Sequence, residues 1–202
     1  LLDTCTAAHR AASASRPVLV SAMNPLTQIA EQLRSATRTA HRALDHHPLL
    51  TPLTRSPLSP AAYANALAAL HGPQKAIEEA LSGFVPENDF PSRLPDLEHD
   101  LEILRIAPFP LMAALPCFNS AAQRIGALYV IEGSNLGGAV IARLLDESLP
   151  ASFPRQFFAR AGGNARWEKF WQFAAVNAEN DRFPVTSETA CMICQLYKMH
   201  LD

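Results

Sequence analysis

Apolar residues recur along most of the chain at the three-to-four spacing of helices, and no segment alternates with the two-residue period of a strand. Leu26, Ile29, Ala30, Leu33, Thr37, Ala40 and Leu44 form the first stripe, opened by Asn24-Pro25 as N-cap and first helical residue. The spacing predicts a helix over residues 25 to 45. Ser59-Pro60 starts a second, with Tyr63, Leu67, Leu70, Ile77 and Leu81 on one side and a bend or break at Gly72-Pro73. Leu94-Pro95 opens a third carrying Leu97, Leu101 and Leu104, and a connection with Pro108, Pro110 and Pro116 follows it. Asn119 or Ser120 caps a long fourth helix reaching about Asp146. A fifth begins near Asn164 with Trp167, Phe170 and Trp171, which read as core aromatics. A sixth begins near Thr186-Ser187 with Ala190, Ile193, Tyr197 and Leu201. The expected architecture is one all-α domain.

Composition narrows the class. With 202 residues, 49% hydrophobic and 18% charged, the chain has enough apolar surface for a single core and is not intrinsically disordered. The formal net charge is −2 and like charges form no block, so no nucleic-acid partner is expected. Uninterrupted apolar runs fall well short of the roughly 18 residues a bilayer span needs, so a soluble domain without a membrane partner is expected. The four cysteines, Cys5, Cys117, Cys191 and Cys194, are too few and too scattered for a disulfide framework, which fits a cytoplasmic location. Cys191-x-x-Cys194 reads as two small core residues rather than a metal or redox pair, because no second pair stands at ligand spacing. Residues 1–22 lack helical period and read as an extension ahead of Met23, leaving 23–202 as the domain.

Candidate chemistry gathers on two helices. His41 lies about 40° from Thr37 and about 20° from Ala30 around the first helix, which directs it toward the buried side. It is either a core histidine satisfied by an acceptor or a metal ligand. Asp45, four residues on, is placed to accept the Nδ1 proton and leave Nε2 free to bind a metal. Arg34, Arg38 and Arg42 form a row beside it, either a solvated face or a set of cations for ligand carboxylates or an acidic partner.

In the fourth helix, Glu132-Gly133-Ser134-Asn135-Leu136-Gly137-Gly138 holds three glycines. Each costs about 0.8–1 kcal/mol of helix propensity relative to Ala. Either another backbone crosses closely at Gly133 and Gly137, or a flat ligand presses against the helix there. A phosphate loop is a poor third, since no strand precedes it and no Lys-Ser/Thr ending follows.

The sequence resembles the heme oxygenases, most closely the bacterial type that supplies biliverdin to phytochromes. The resemblance rests on Leu33-Arg34-Ser35-Ala36-Thr37-Arg38-Thr39-Ala40-His41, on Arg93-Leu94-Pro95-Asp96-Leu97 through Asp100-Leu101, and on Gly126-Ala127-Leu128-Tyr129-Val130-Ile131-Glu132-Gly133-Ser134-Asn135-Leu136-Gly137-Gly138. It covers residues 24 to about 180. It implies a single-domain helical fold in which heme, both cofactor and substrate, lies between the first helix and a kinked, glycine-rich fourth. His41 would be the axial ligand of the heme iron, with Asp45 as its hydrogen-bond partner. Arg34 and Arg38 would lie at the heme edge, and Gly133, Gly137 and Gly138 would belong to the distal helix. The implied activity opens heme to biliverdin with release of carbon monoxide and iron. It consumes molecular oxygen and electrons from a donor protein, a ferredoxin or a reductase, and a bacteriophytochrome is the implied receiver of the bilin. The alternative is a non-catalytic heme-binding or heme-transfer protein of the same fold.

Two positions depart from the family pattern. Ser134 stands where animal-type enzymes carry a distal Asp that organises water, so a water chain here would use Ser134, Asn135 and backbone carbonyls. The last helix carries Cys191 or Ile193 where the family has a heme-facing aromatic.

Overall fold

A computed structural model describes residues 25–111, 117–177 and 183–202. The expected extension, residues 1–22, lies outside them, as does Pro116. The described residues form helices α1 (Pro25–Asp45), α2 (Pro60–Leu81), α3 (Leu94–Leu104), α4 (Ala121–Ser148), the single turn α5 (Gln156–Ala159), α6 (Gly163–Asn177) and α7 (Phe183–Leu201), with a 3-10 turn at Thr51–Thr54. No strand occurs among them.

The starts of α2 and α4 follow from local chemistry. Ser59 Oγ accepts from the Ala62 amide at 3.2 Å. Ser120, rather than Asn119, caps α4: its Oγ accepts from the Gln123 amide at 3.2 Å while Gln123 Oε1 accepts from the Ser120 amide at 3.2 Å. α2 passes through Gly72-Pro73 as one helix rather than breaking there. α7 starts at Phe183, ahead of the expected Thr186, because Pro184 is tolerated in a first helical turn. Thr51–Thr54 and α5 are additions, each too short to show a period in the sequence.

α4 is the axis of the bundle and packs against α7, α6, α5 and α2. Along one part of it lies a cluster built on Tyr63, Leu67, Leu97, Leu145 and Phe157. Along the other lies a second, built on Ile77, Ile125, Leu128, Ile131, Phe170 and Ile193. By length and composition α4 could cross a membrane, which corrects the expectation that no segment comes near that limit. Counting unbroken apolar runs misses a helix whose glycines, alanines and few polar residues still average apolar. Its packing partners and its buried ion pair make it a core helix. Cys194 is buried, and desolvation pushes its thiol up to about 12, so it is an inert packing group as expected. Cys191 Sγ donates to the Ala36 carbonyl at 3.0 Å, joining α7 to α1.

Of the glycines, Gly126 is the most tightly enclosed. A Cβ there would stand 2.4 Å from the Thr186 carbonyl oxygen and 3.0 Å from Thr189 Cβ. Backbone cannot yield as a side chain tip can, so Gly126→Ala should destabilise the ligand-free protein by about 1–3 kcal/mol. Chemical denaturation of the two proteins measures it, and an unchanged midpoint would mean that the crossing relaxes freely.

Candidate functional site

The first half of α1 rests on α7 through Ile29, Leu33 and Ala190, with Tyr129 and Val130 of α4 at the edge of the same cluster. Thr37 is buried, and its hydroxyl donates to the Leu33 carbonyl at 2.8 Å. Burial raises the pKa of the Tyr129 hydroxyl, while Thr37 and Arg34 lower it. This part of α1 thus lies near Tyr129 and Val130 of α4. The next turn of α1 carries His41, and the next turn of α4 carries Gly133.

His41 is not buried. Its side chain is 63% exposed, against the expectation that it faces the core. The reason is geometric: each four-residue step turns about 40° around the helix, so the stripe Ile29, Leu33, Thr37 drifts and the buried side passes to Ala40 and Leu44. The expected pairing is present, with His41 Nδ1 and Asp45 Oδ2 3.0 Å apart. In a neutral ring, an Nδ1–H donated to the carboxylate would leave the lone pair on Nε2. Arg34, Arg38, His41 and Asp45, all exposed, lie within about 60° of one another on one face of α1.

The glycines of α4 divide by what surrounds them. Gly138 is buried, and a Cβ there would stand 2.7 Å from Ala161 Cβ, so it serves packing against the chain after α5. At Gly137 nothing lies within 4 Å of an added Cβ, and at Gly133 only the rim of Trp167 does, at 3.9 Å. The backbone crossing considered for Gly133 and Gly137 is thus absent, and Gly126 holds that role instead. Ser134 is exposed, and its hydroxyl donates to the Ile131 carbonyl at 2.7 Å.

Asn135 belongs to the other side of the helix from the exposed Ser134. It is buried, accepts from Arg93 Nη1 at 3.2 Å and approaches Glu132 at 3.5 Å. Glu132 in turn takes Arg166 Nε at 2.6 Å and Nη2 at 2.8 Å. Arg93 is 2% exposed, donates toward Asp96 at 3.4 Å and lies over the Phe157 ring at 5.0 Å. Burial pulls its pKa down, against the raising effect of Asp96. This network explains the second sequence motif. Glu78 accepts from the Arg93 amide at 2.9 Å at the start of α3. Asp100 accepts from the Gln156 and Phe157 amides at 3.0 and 2.9 Å, capping α5. Sequence reasoning missed Glu132 and Arg166 as partners, since 34 residues separate them and no local pattern joins such positions. Trp167, Phe170 and Trp171 form an aromatic cluster with Tyr129, as expected of core residues. Ile193 is fully buried in the second core cluster.

Among the described residues no cluster of three or more His, Cys, Asp or Glu could enclose a metal ion. On α1 an exposed imidazole has Nδ1 against a carboxylate, and on α4 Gly133 and Gly137 leave the outer side of the helix almost uncovered.

No protein-family model matches the chain. The structure is similar to that of the NO- and CO-bound heme oxygenase from Neisseria meningitidis, with a TM-score of 0.61 over 86% of this chain and 89% of that one, at 21% sequence identity. At that identity the likeness shows the fold, which is the all-helical heme oxygenase fold. The sequence is 37% identical to a heme oxygenase of Xanthomonas campestris pv. campestris (strain 8004) over 116 residues, 54% of this chain and 68% of the relative. With that identity over two thirds of the relative, the chain belongs to the heme oxygenase family.

Proposed function

We propose that the protein opens heme to biliverdin, releasing carbon monoxide and iron and consuming molecular oxygen with electrons from an external donor. The observation that carries this reading is the His41–Asp45 pair, exposed on a helix that touches α4 one turn before its open glycine turn. Heme is the substrate and, when bound, also supplies the iron at which oxygen and electrons are used.

Each residue has a separate task. His41 would hold the heme iron through Nε2, and Asp45 at Nδ1 would keep the imidazole in that tautomer and direction. Arg34 and Arg38 offer guanidinium groups to the two carboxylates of the ring edge, Arg34 being the one beside Tyr129. Gly133 and Gly137 let the helix backbone lie against the flat ring. Ser134 donates its own proton to Ile131, so its oxygen is left to accept a bond from water over that ring. Gly138 supports this turn from behind. A ferredoxin or a reductase is the electron donor in this reading, a bacteriophytochrome receives the bilin, and the reaction is cytoplasmic.

Aerobic turnover of the hemin complex with ascorbate or a reductase, followed by chromatography of the bilin, tests the function. A complex that forms and yields no bilin would make this a heme carrier. His41→Ala should change the ferric Soret band and abolish turnover, with recovery on adding imidazole, whereas Asp45→Asn should slow turnover by about tenfold. A wild-type spectrum and rate in His41→Ala would remove His41 from the site.

Arg34→Glu should weaken hemin binding in a fluorescence-quenching titration or change the bilin isomer ratio. Unchanged values for both would assign Arg34 to the solvated face of α1.

Gly137→Ala should raise helix propensity by about 0.8–1 kcal/mol, since its Cβ meets no protein atom within 4 Å. The heme-free protein should melt no lower than wild type while turnover slows, because the methyl enters the space above the ring. A lower melting temperature with normal turnover is the result that would refute it.

A further inference from the structure

We propose that the buried Glu132–Arg166 ion pair is a positioning device that fixes the rotation of the open turn of α4 over the ligand; the proposal rests on the heme reading of that turn. The Glu132 side chain has no solvent exposure and that of Arg166 is 9% exposed. Taking both charges out of water is costly, and apolar residues of similar volume commonly fill such a place with equal or better stability. What a bidentate Arg–carboxylate contact adds is direction, through two parallel bonds in a fixed plane. Here the plane is set from both ends. Arg166 Nη1 also donates to the Pro91 carbonyl at 3.1 Å. Its aliphatic stem packs on Gly162, where φ is +80° and an added Cβ would stand 3.0 Å from Arg166 Cδ. At the other end, Glu132 immediately precedes Gly133.

Asn135 is the second anchor, held by Arg93 Nη1. Glu132 and Asn135 thus bracket Gly133 and Ser134 from the buried side. Three glycines make this the weakest stretch of α4 in intrinsic propensity, and Gly133 and Gly137 have almost nothing packed on their open side. A stretch of that kind bends or rotates unless it is held from behind.

The test uses E132Q/R166M, which removes both buried charges together, and R166K, which keeps the charge paired but replaces the two-bond contact with a point charge. K169M, which breaks the exposed Lys169–Asp89 pair on the same helix, is the control. The measurements are the melting temperature without heme, hemin affinity, and azide affinity of the ferric hemin complex, a probe of the space over the ring. We expect E132Q/R166M to melt within a few degrees of wild type, yet to change azide affinity by about fivefold or more, with R166K shifted in the same direction by less and K169M unchanged. Azide affinity within twofold of wild type in both E132Q/R166M and R166K overturns the proposal. So does a fall in melting temperature in R166K with unchanged azide affinity, which is the signature of a purely structural pair. A wild-type chain that takes up no hemin overturns the heme reading and this proposal with it, whereas wild-type uptake with unshifted variants overturns the proposal alone.

Discussion

The crossing of α4 and α7 at Gly126 sets the geometry on which the rest of the molecule depends. Among the described residues, α1 reaches the body of the protein chiefly through α7, at Ile29, Leu33 and Ala190, with Tyr129 and Val130 of α4 at the edge of that cluster. The separation between the helix bearing His41 and the open turn of α4 is therefore inherited from how closely α7 approaches α4. A side chain at Gly126 would push α7 outward, because the atom it meets is the Thr186 backbone carbonyl. A site made of two helix faces needs that spacing held to a fraction of an ångström, and a backbone contact holds it better than flexible side chains do.

The same helix must satisfy opposite demands on its two sides. Its buried side carries Ile125, Leu128 and Ile131 and the charged group Glu132, while Ser134 and Gly137 face outward. Hydrophobic packing is non-directional and leaves a helix free to turn about its axis by small amounts. Hydrogen-bonded ion pairs are directional. The network of Glu132, Arg166, Asn135 and Arg93 lies directly behind the stretch where packing is absent on the outer side. Asp96 extends it to the surface through Arg160, at 3.0 Å. Burial of this kind contributes little net stability and much orientation, which suits a helix whose outer face must stay uncovered.

How far the sequence discloses this depends on the range of the interaction. The long helices are legible because their apolar stripes and Ser-Pro or Asn-Pro starts are local signals, and α1 runs over the residues expected. The His41–Asp45 pair is legible for the same reason, being one helical turn apart. Its exposure is not, because the drift of a four-residue stripe shows only when the neighbouring helix is in place. The glycines carry mixed meaning. Their cost in helix propensity marks all of 133, 137 and 138 as needing a reason, yet packing at Gly138 and open space at Gly137 look alike in sequence. Gly126, the tightest of them, stands alone in a regular helical stretch and gives no cluster to notice. The Glu132–Arg166 pair lies beyond any local pattern, and only the fold joins its members.

The His41–Asp45 pair gives a way to separate what serves the fold from what serves the site. Both side chains are more than half exposed, and exposed pairs of this kind add little to stability, since water solvates each partner nearly as well. Neither side chain is among the buried residues of the core clusters. Stability therefore gives no reason for a histidine whose Nδ1 is held by a carboxylate, whereas the proposed ligation of a heme iron would use that arrangement. The buried pair behind Gly133 is the converse case, deeply placed and expensive to desolvate. In the proposed heme reading, the exposed pair is the one that reaches the ligand, and the buried pair is the one that holds the angle of the α4 turn.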